Sequence, residues 1–131
     1  MTTRRAACSC GNLRLTARGD PIRVSVCHCH ACQRRTGSVF GVQARFSNDK
    51  VNIEGASKKY VRTADSGNQI TFHFCTDCGA TVYYQLSETP DMIAIPAGAF
   101  ADPEFPPPVF SVYEARQHSW VVLPENIEHI D

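Results

Sequence analysis

Hydrophobic and polar residues alternate in short runs along most of this chain, which is the pattern of half-buried β-strands. In residues 12–17 the apolar side chains take every second position, and in residues 22–26 Ile22, Val24 and Val26 do the same. Clusters of Ser, Asn, Asp and Gly divide the runs and predict turns between them. The same criteria predict further strands over residues 39–46, 50–53, 59–62, 69–74, 81–86, 92–95 and 110–113.

Residues 31–36 break this pattern, because they contain few strand formers and are followed by Gly37, a residue type that often ends helices. We therefore predict a short helical turn in this segment. Residues 106–108 are three successive prolines, which predict an extended edge or connector because proline cannot donate to a sheet ladder. No internal repeat or change of composition marks a boundary. The sequence predicts one all-β domain over residues 1–131.

The composition is that of a soluble globular protein, with 43% hydrophobic and 20% charged residues in a chain of 131. No stretch approaches the roughly 20 apolar residues of a membrane span. The N-terminal residues run into the first cysteines without an apolar segment, so we read no secretory signal peptide. These features predict a cytoplasmic protein in a reducing compartment, with no membrane partner.

The net charge of zero conceals an uneven distribution of charged residues. Residues 1–35 carry seven arginines and one acid, a net charge of +6, whereas residues 86–131 carry eight acids and one base, a net charge of −7. Either an anionic ligand binds the basic segment or the two ends of the chain neutralise each other. Seven thiolates with two Zn²⁺ ions would bring the formal charge to about −3, which disfavours nucleic acid as a partner.

Seven cysteines form three clusters, over residues 8–10, 27–32 and 75–78. Disulfides would leave one thiol over, and close spacing in a reducing compartment favours metal binding. The outer two clusters are pairs, and their four sulfurs would complete a tetrahedral zinc site. The middle cluster could in principle share ligands with either pair.

Each pair has a spacing that suits a shared metal. Cys8 and Cys10 are two residues apart, so an extended strand would point both sulfurs to one side. Cys75 and Cys78 enclose two residues and precede Gly79, the spacing of a metal knuckle, in which glycine accepts a positive φ. Such a Cys₄ site would join distant parts of the chain and stabilise the fold.

The middle cluster supplies Cys27, Cys29 and Cys32, with the first two expected on one strand face and the third on the following turn. Three thiolates without a fourth cysteine predict an open zinc site, which is typical of a catalytic centre. His30 could close the site, and His28 is a weaker candidate because a strand would point it to the opposite face. The alternative is a second structural zinc, completed by a distant histidine such as His73 or His118.

Charge indicates what an open site of this kind could do. Three thiolates leave Zn²⁺ with a net charge of −1, so it would be a weak Lewis acid but could accept a substrate thiolate. Arg34 and Arg35 follow the cluster and could offset this charge or hold a carboxylate, although either one could instead be ordinary surface. This favours a thiol substrate with an anionic group.

The order of these motifs resembles the glutathione-dependent formaldehyde-activating (S-hydroxymethylglutathione synthase-like) family. The resemblance is carried by Cys-Ser-Cys-Gly at residues 8–11, by residues 27–37 and by Phe-Cys-Thr-Asp-Cys-Gly at residues 74–79. It extends through residues 98–103 to Trp120. One position departs: many sequences of this pattern carry a histidine near the place of Ser111.

This resemblance implies an all-β fold like that of the Mss4-type zinc proteins. It implies a structural zinc and a catalytic zinc, and it implies carbon–sulfur lyase chemistry that joins formaldehyde and glutathione reversibly. The structural zinc would be bound by Cys8, Cys10, Cys75 and Cys78, and the catalytic zinc by Cys27, Cys29 and Cys32.

Two functional hypotheses follow. In the first, the chain is a zinc-dependent lyase of a glutathione-like thiol adduct, with Arg34 or Arg35 at a carboxylate and His30 moving the proton. In the second, it is a non-catalytic zinc module that binds glutathione or a partner protein. We expect the larger aromatic side chains to be core, and exposed strand edges would permit a homodimer. Those aromatic residues are Phe72, Phe74, Tyr83, Tyr84 and Trp120.

Overall fold

The computed structural model describes residues 1–130 and is built mainly from β-strands, which confirms the predicted all-β class. Within these residues there are eleven strands, one α-helix and three 3₁₀ turns. The strands are β1 (Thr3–Ala7), β2 (Arg14–Arg18), β3 (Arg23–Cys27), β4 (Gly41–Ser47), β5 (Val51–Glu54), β6 (Ser57–Thr63), β7 (Gln69–Cys75), β8 (Thr81–Leu86), β9 (Met92–Pro96), β10 (Phe110–Val112) and β11 (Glu128–Ile130).

The strands form a small sheet and a large one. The small sheet has the order β1-β2-β5, and the large sheet has the order β11-β10-β3-β4-β9-β8-β7-β6. Neighbouring strands are antiparallel except at β10, which runs parallel to both β3 and β11. This parallel connection places the C-terminal part of the chain directly beside the strand that ends at Cys27.

The two sheets enclose the main hydrophobic core. Leu15 and Ala17 of β2 are fully buried, as is Leu13 just before it, and they pack with Phe46 and Ile95 of the large sheet. The alternation seen in residues 12–17 is therefore the alternation between this core and solvent. A second, smaller cluster lies elsewhere on the large sheet and contains Ile70, Phe72, Tyr84 and Ala94.

Helix α1 (His30–Thr36) confirms the helical turn predicted for residues 31–36. Cys29 caps its first turn, and Gly37 ends it in the left-handed conformation with φ of 72°. The Gly37 N–H donates to the carbonyl of Gln33, which satisfies one of the open carbonyls at the helix end. The helix lies immediately after β3, so it carries the middle cysteine cluster at its start.

Some strand boundaries differ from the prediction. Strands β1 and β11 were not predicted, because neither shows an apolar alternation; their backbones pair with β2 and β10. Residue 50 ends a 3₁₀ turn, and Ile22 precedes β3 with 62% of its surface exposed. Residues 106–108 are an irregular connector that leads to β10, as predicted.

The expectation for aromatic residues is confirmed for three and wrong for Trp120. Phe72, Tyr83 and Tyr84 are buried, and Phe74 is half-buried. Trp120 is 68% exposed; it lies in an irregular segment, with its ring edge-to-face against that of His118. Among residues 1–130, no helix combines the length and the apolar character needed to cross a bilayer.

Candidate metal centres and their cavities

Two groups of cysteine sulfurs are close enough to hold metal ions. In the first group, the Sγ atoms of Cys8, Cys10, Cys75 and Cys78 all lie within 4.8 Å of one another. The Sγ of Cys10 is 3.6 Å from the Sγ of both Cys8 and Cys75. A tetrahedral Zn²⁺ with Zn–S bonds near 2.3 Å would separate its sulfurs by about 3.8 Å, whereas a disulfide needs about 2.05 Å. The geometry fits a four-sulfur metal site.

Cys8 and Cys10 are brought together by a turn, so the predicted extended strand is wrong. Strand β1 ends at Ala7, and the Gly11 N–H then donates to the Cys8 carbonyl at 3.1 Å. The Leu13 N–H donates to the Sγ of Cys8 at 3.2 Å. A backbone N–H aimed at sulfur stabilises a thiolate, which is the form that binds metal.

The second pair lies on a turn of the kind expected for a knuckle. Cys75 ends β7, and the Gly79 N–H donates to its carbonyl at 3.0 Å with φ of 79° at Gly79. Hydrogen bonds from the backbone of Ala80 and Cys10 lower the pKa of Cys78 to about 6. Each pair therefore lies on a turn in which a backbone N–H donates to sulfur, from Leu13 to Cys8 and from Asp77 to Cys75.

The second group contains Cys27, Cys29 and Cys32, whose Sγ atoms also lie within 4.8 Å of one another. Cys27 ends β3, Cys29 is the N-cap of α1, and Cys32 lies in its first turn. The Cys32 N–H donates to the Sγ of Cys29 at 3.3 Å. The prediction that Cys27 and Cys29 share a strand is wrong, because the strand ends before the helix cap that directs the second sulfur.

The three thiols of this group cannot all ionise unaided. Hydrogen bonding with Cys29 and then Cys32 strongly raises the pKa of Cys27. The same contacts with Cys27 and Cys32 lower the pKa of Cys29 to about 2, with a smaller contribution from the charge of Arg62. Each thiolate in this group therefore makes ionisation of its neighbours less favourable. A divalent cation is what would let all three become thiolates.

A cavity of about 300 Å³ opens beside the three sulfurs. His30 lines this cavity and is exposed, but it does not belong to the group of metal-ligating atoms that the three sulfurs form. The other lining residues are Cys27, Cys29, Ala31, Cys32, Arg62, Ala64, Asp65, Tyr113 and Arg116.

The histidines considered as a fourth ligand lie elsewhere. His28 is fully buried and makes a contact of 3.1 Å from Nε2 to the Oγ of Ser111. His73 is stacked on Tyr83 with ring centroids 4.2 Å apart. His118 Nε2 lies 3.3 Å from the side-chain oxygen of Gln33. Within residues 1–130, none of the three joins the ligand group of Cys27, Cys29 and Cys32.

A larger cavity of about 570 Å³ lies between α1 and the sheet face formed by β6, β7 and β8. Arg34 and Arg35 both line it, so the structure brings these sequence candidates to one opening. Ala31 and Arg62 line this cavity and the cysteine cavity alike, so the two share a wall. The remaining lining residues are Tyr60, Phe72, Phe74, Gly79 and Thr81.

Arg34 and Arg35 have different settings on the helix. Arg34 is exposed, whereas Arg35 is half-buried with its guanidinium carbon 5.4 Å from the ring centre of Phe72 and 5.2 Å from that of Tyr84. Neither arginine forms an ion pair with a carboxylate of residues 1–130. Both charges therefore face the cavity region without a neutralising acid from the described chain.

Sequence reasoning missed four polar residues that line the cysteine cavity, namely Arg62, Asp65, Tyr113 and Arg116. Arg116 had a signal, since it is the one Lys or Arg between residues 86 and 131. Arg62 had a weaker signal as the partner of Tyr60 on one face of β6. Tyr113 adopts a left-handed φ of 57°, which sequence alone does not reveal.

Comparisons with known proteins identify the family and a similar fold. Residues 3–116 match the model of the family described as "Glutathione-dependent formaldehyde-activating enzyme". A crystal structure of a Rhodobacter sphaeroides protein resembles the chain with a TM-score of 0.55 and 17% identity, over 72% of this chain and 85% of that one. This second likeness concerns the fold. No curated protein is similar enough to the chain to count as a match.

Proposed function

The chain belongs to the glutathione-dependent formaldehyde-activating enzyme family, and from this premise we propose that it is a zinc-dependent carbon–sulfur lyase. Its reaction joins formaldehyde reversibly to a thiol of the glutathione type. The observation that carries the proposal is the trio Cys27, Cys29 and Cys32, grouped beside a cavity with no fourth protein ligand from residues 1–130.

The donor sets suit two zinc ions. Four convergent thiols with backbone N–H groups aimed at sulfur make a closed structural site, and three make a site with a free position. Zinc in the three-sulfur site would hold a substrate thiol in its nucleophilic thiolate form. The closed site would join the turn after β1 to the turn after β7.

The reaction forms one carbon–sulfur bond. The substrate sulfur attacks the carbon of formaldehyde, the electron pair of the carbonyl bond moves to oxygen, and this oxygen takes up the proton that the thiol released. His30 lines the cavity with its side chain exposed, so we assign the proton transfer to it. Arg34 or Arg35 binds a carboxylate of the thiol from the adjoining cavity. In the reverse direction the same groups release formaldehyde.

The state of the cysteines fits a reducing compartment, and we place the protein in the cytoplasm. In the four-sulfur group, the Sγ of Cys10 lies 3.6 Å from the Sγ of both Cys8 and Cys75, a separation that suits a shared metal rather than a disulfide. Strand β6 is at one edge of the large sheet and could pair with a second copy of the chain.

A second candidate is a non-catalytic zinc module that binds glutathione or a partner protein. The exposed apolar side chains near the C-terminus favour it, since Trp120 is 68% and Val122 is 92% exposed. This candidate predicts binding without turnover.

The test is NMR exchange spectroscopy of formaldehyde and glutathione with the zinc-loaded protein. We expect faster exchange than in buffer, and we expect Cys29→Ser to remove the effect. Loss of activity could also follow from loss of folding, as we would expect for Cys78→Ser in the four-sulfur site. The far-UV circular dichroism of Cys29→Ser is therefore measured as well, and it should equal that of the parent. Exchange no faster than in buffer, with two zinc ions bound per chain, would contradict the lyase assignment.

A further inference from the structure

The cavity beside α1 has aromatic walls that the joining of formaldehyde to a thiol does not require. Tyr60 is 60% exposed, and Phe74 is half-buried, so both rings can meet a ligand in the cavity. Strand pairing sets Tyr60 directly opposite Phe72, and both line the cavity. A volume of about 570 Å³ lies within the ordinary range for small-molecule sites.

Three arginines surround these rings without acidic partners. Arg34, Arg35 and Arg62 line the cavity, and no carboxylate of residues 1–130 forms an ion pair with any of them. Arg35 and Arg62 both approach the ring of Phe72, with guanidinium carbons 5.4 and 5.7 Å from its centre. The Phe72 ring holds the guanidinium groups of Arg35 and Arg62 in place, and an anion is the ligand group that would neutralise the three arginines.

The cavity also lacks any acidic side chain in its lining. Glutathione carries an ammonium group and no ring, so it would satisfy the arginines but leave the aromatic walls uncovered. A ligand with a flat apolar body next to a carboxylate would contact both kinds of residue. The lining of the cavity therefore suits a ligand that has both a ring and a carboxylate better than a ligand that is only charged.

We propose that the cavity binds the non-reacting end of the substrate, and that the preferred thiol carries an aromatic group beside a carboxylate. Ala31 and Arg62 belong to the walls of both cavities, so one molecule could place its sulfur beside the cysteine triplet and its ring against the exposed face of Tyr60. The identity of the reacting thiol rests on the proposed function, whereas binding of the aromatic carboxylate does not.

The first test uses a probe without sulfur. Hippurate (N-benzoylglycine) has a ring and a carboxylate, N-acetylglycine lacks the ring, and hippuramide lacks the charge. Isothermal titration of the zinc-loaded protein should give hippurate an affinity at least about tenfold above that of either analogue. Equal affinity for N-acetylglycine, or no measurable binding of hippurate, would overturn the proposal.

Variants locate the binding. Tyr60→Ala and Arg62→Gln should each weaken hippurate binding by about tenfold or more. Lys59→Gln is the matched control, because Lys59 lies on the same strand with its side chain on the opposite sheet face, paired with His73. Equal loss in Lys59→Gln, or unchanged binding in both cavity variants, would also overturn the proposal.

The second test compares thiols. Formaldehyde exchange should be accelerated more for N-benzoylcysteine than for N-acetylcysteine or glutathione, each measured against its own rate in buffer. Hippurate binding without accelerated exchange of any thiol would support the binding site and contradict the lyase. Accelerated exchange with glutathione preferred would support the lyase and overturn the aromatic preference.

Discussion

The buried imidazole of His28 and the hydroxyl of Ser111 meet across the parallel strands β3 and β10, with Nε2 and Oγ 3.1 Å apart. Both residues are fully buried, and the His28 N–H also donates to the carbonyl of Val112. His28 stands between Cys27 and Cys29, so this contact fixes the backbone that carries two of the three sulfurs. Ser111 thus supports the cysteine triplet through His28, and it does not line the cavity beside the triplet.

Replacing Ser111 tests this support. In Ser111→Ala the buried ring of His28 loses its partner, and its Nδ1 already has none among residues 1–130. Leaving a buried polar group unpaired costs about 1–3 kcal/mol, so the free energy of unfolding should fall by that amount. Urea titration of the zinc-loaded protein measures it. The exposed Ser119→Ala is the control, and equal stability of the two variants would contradict the interpretation.

A glycine between β5 and β6 tests the packing beside the turn that carries Cys8 and Cys10. Gly55 has φ of 105°, and a Cβ there would collide with the carbonyl oxygen of Asn12, which lies in the turn that holds the first cysteine pair. Gly67 has φ of 93° but nothing within 4 Å of a Cβ. Gly55→Ala should therefore lower the thermal midpoint more than Gly67→Ala does. Equal thermal midpoints for the two variants would contradict this prediction, because they would mean that the chain around Asn12 shifts to accept the Cβ without loss of stability.

Metal removal distinguishes the two centres. A closed four-sulfur site should release zinc slowly, while the triplet should release it readily because one position is open to competing ligands. Under mild chelation we expect one zinc ion to leave and one to remain, measured by elemental analysis after desalting. Cys32→Ser should retain about one zinc ion and the fold, whereas Cys75→Ser should unfold at much lower temperature. Two equally resistant ions would mean that a further ligand closes the triplet.

Acidification should destabilise the protein partly through His73. Burial lowers the pKa of His73, so below about pH 6.5 the unfolded chain takes up a proton that the folded chain does not. Its contribution to stability is present above this pH and is lost as the pH falls towards the folded-state pKa. His73→Phe keeps the stack on Tyr83 and removes the titration.

The measurement is the free energy of unfolding at several pH values between about 7 and 5.5, at equal zinc saturation. The advantage of His73→Phe over the parent should grow as the pH falls, by at most about 1.4 kcal/mol per pH unit. Parallel curves would contradict the assignment. The zinc ligands also bind protons in acid, but they do so equally in both proteins.

The sequence was informative where chemistry depends on local spacing. Cys75, Cys78 and Gly79 lie close together in the chain, and the knuckle they form needs no distant residue to be recognised. The grouping of Cys10 with Cys75 spans 65 positions, yet the number of cysteines was enough to suggest it. The short helix after Cys29 was predictable for the same reason, since few strand formers and Gly37 are both local signals.

The rest depended on contacts that have no local pattern. Strand β1 contains Thr, two Arg and two Ala, and it is a strand because β2 pairs with all five of its residues. Arg62 and Arg116 reach the cysteine cavity from strands and turns far apart in the chain. Trp120 was expected to be buried as a large aromatic residue, but it lies in a segment without regular structure and is 68% exposed.

The parallel pairing of β10 with β3 has a consequence for synthesis on the ribosome. Every cysteine sulfur of both candidate metal sites has been made once residue 78 leaves the exit tunnel, so zinc could bind while residues 79–131 are still missing. Ser111, Tyr113 and Arg116 arrive only afterwards, and they bring the buried support and part of the cavity wall. The nascent chain could thus gather its metal-binding sulfurs before the wall of the cysteine cavity is complete.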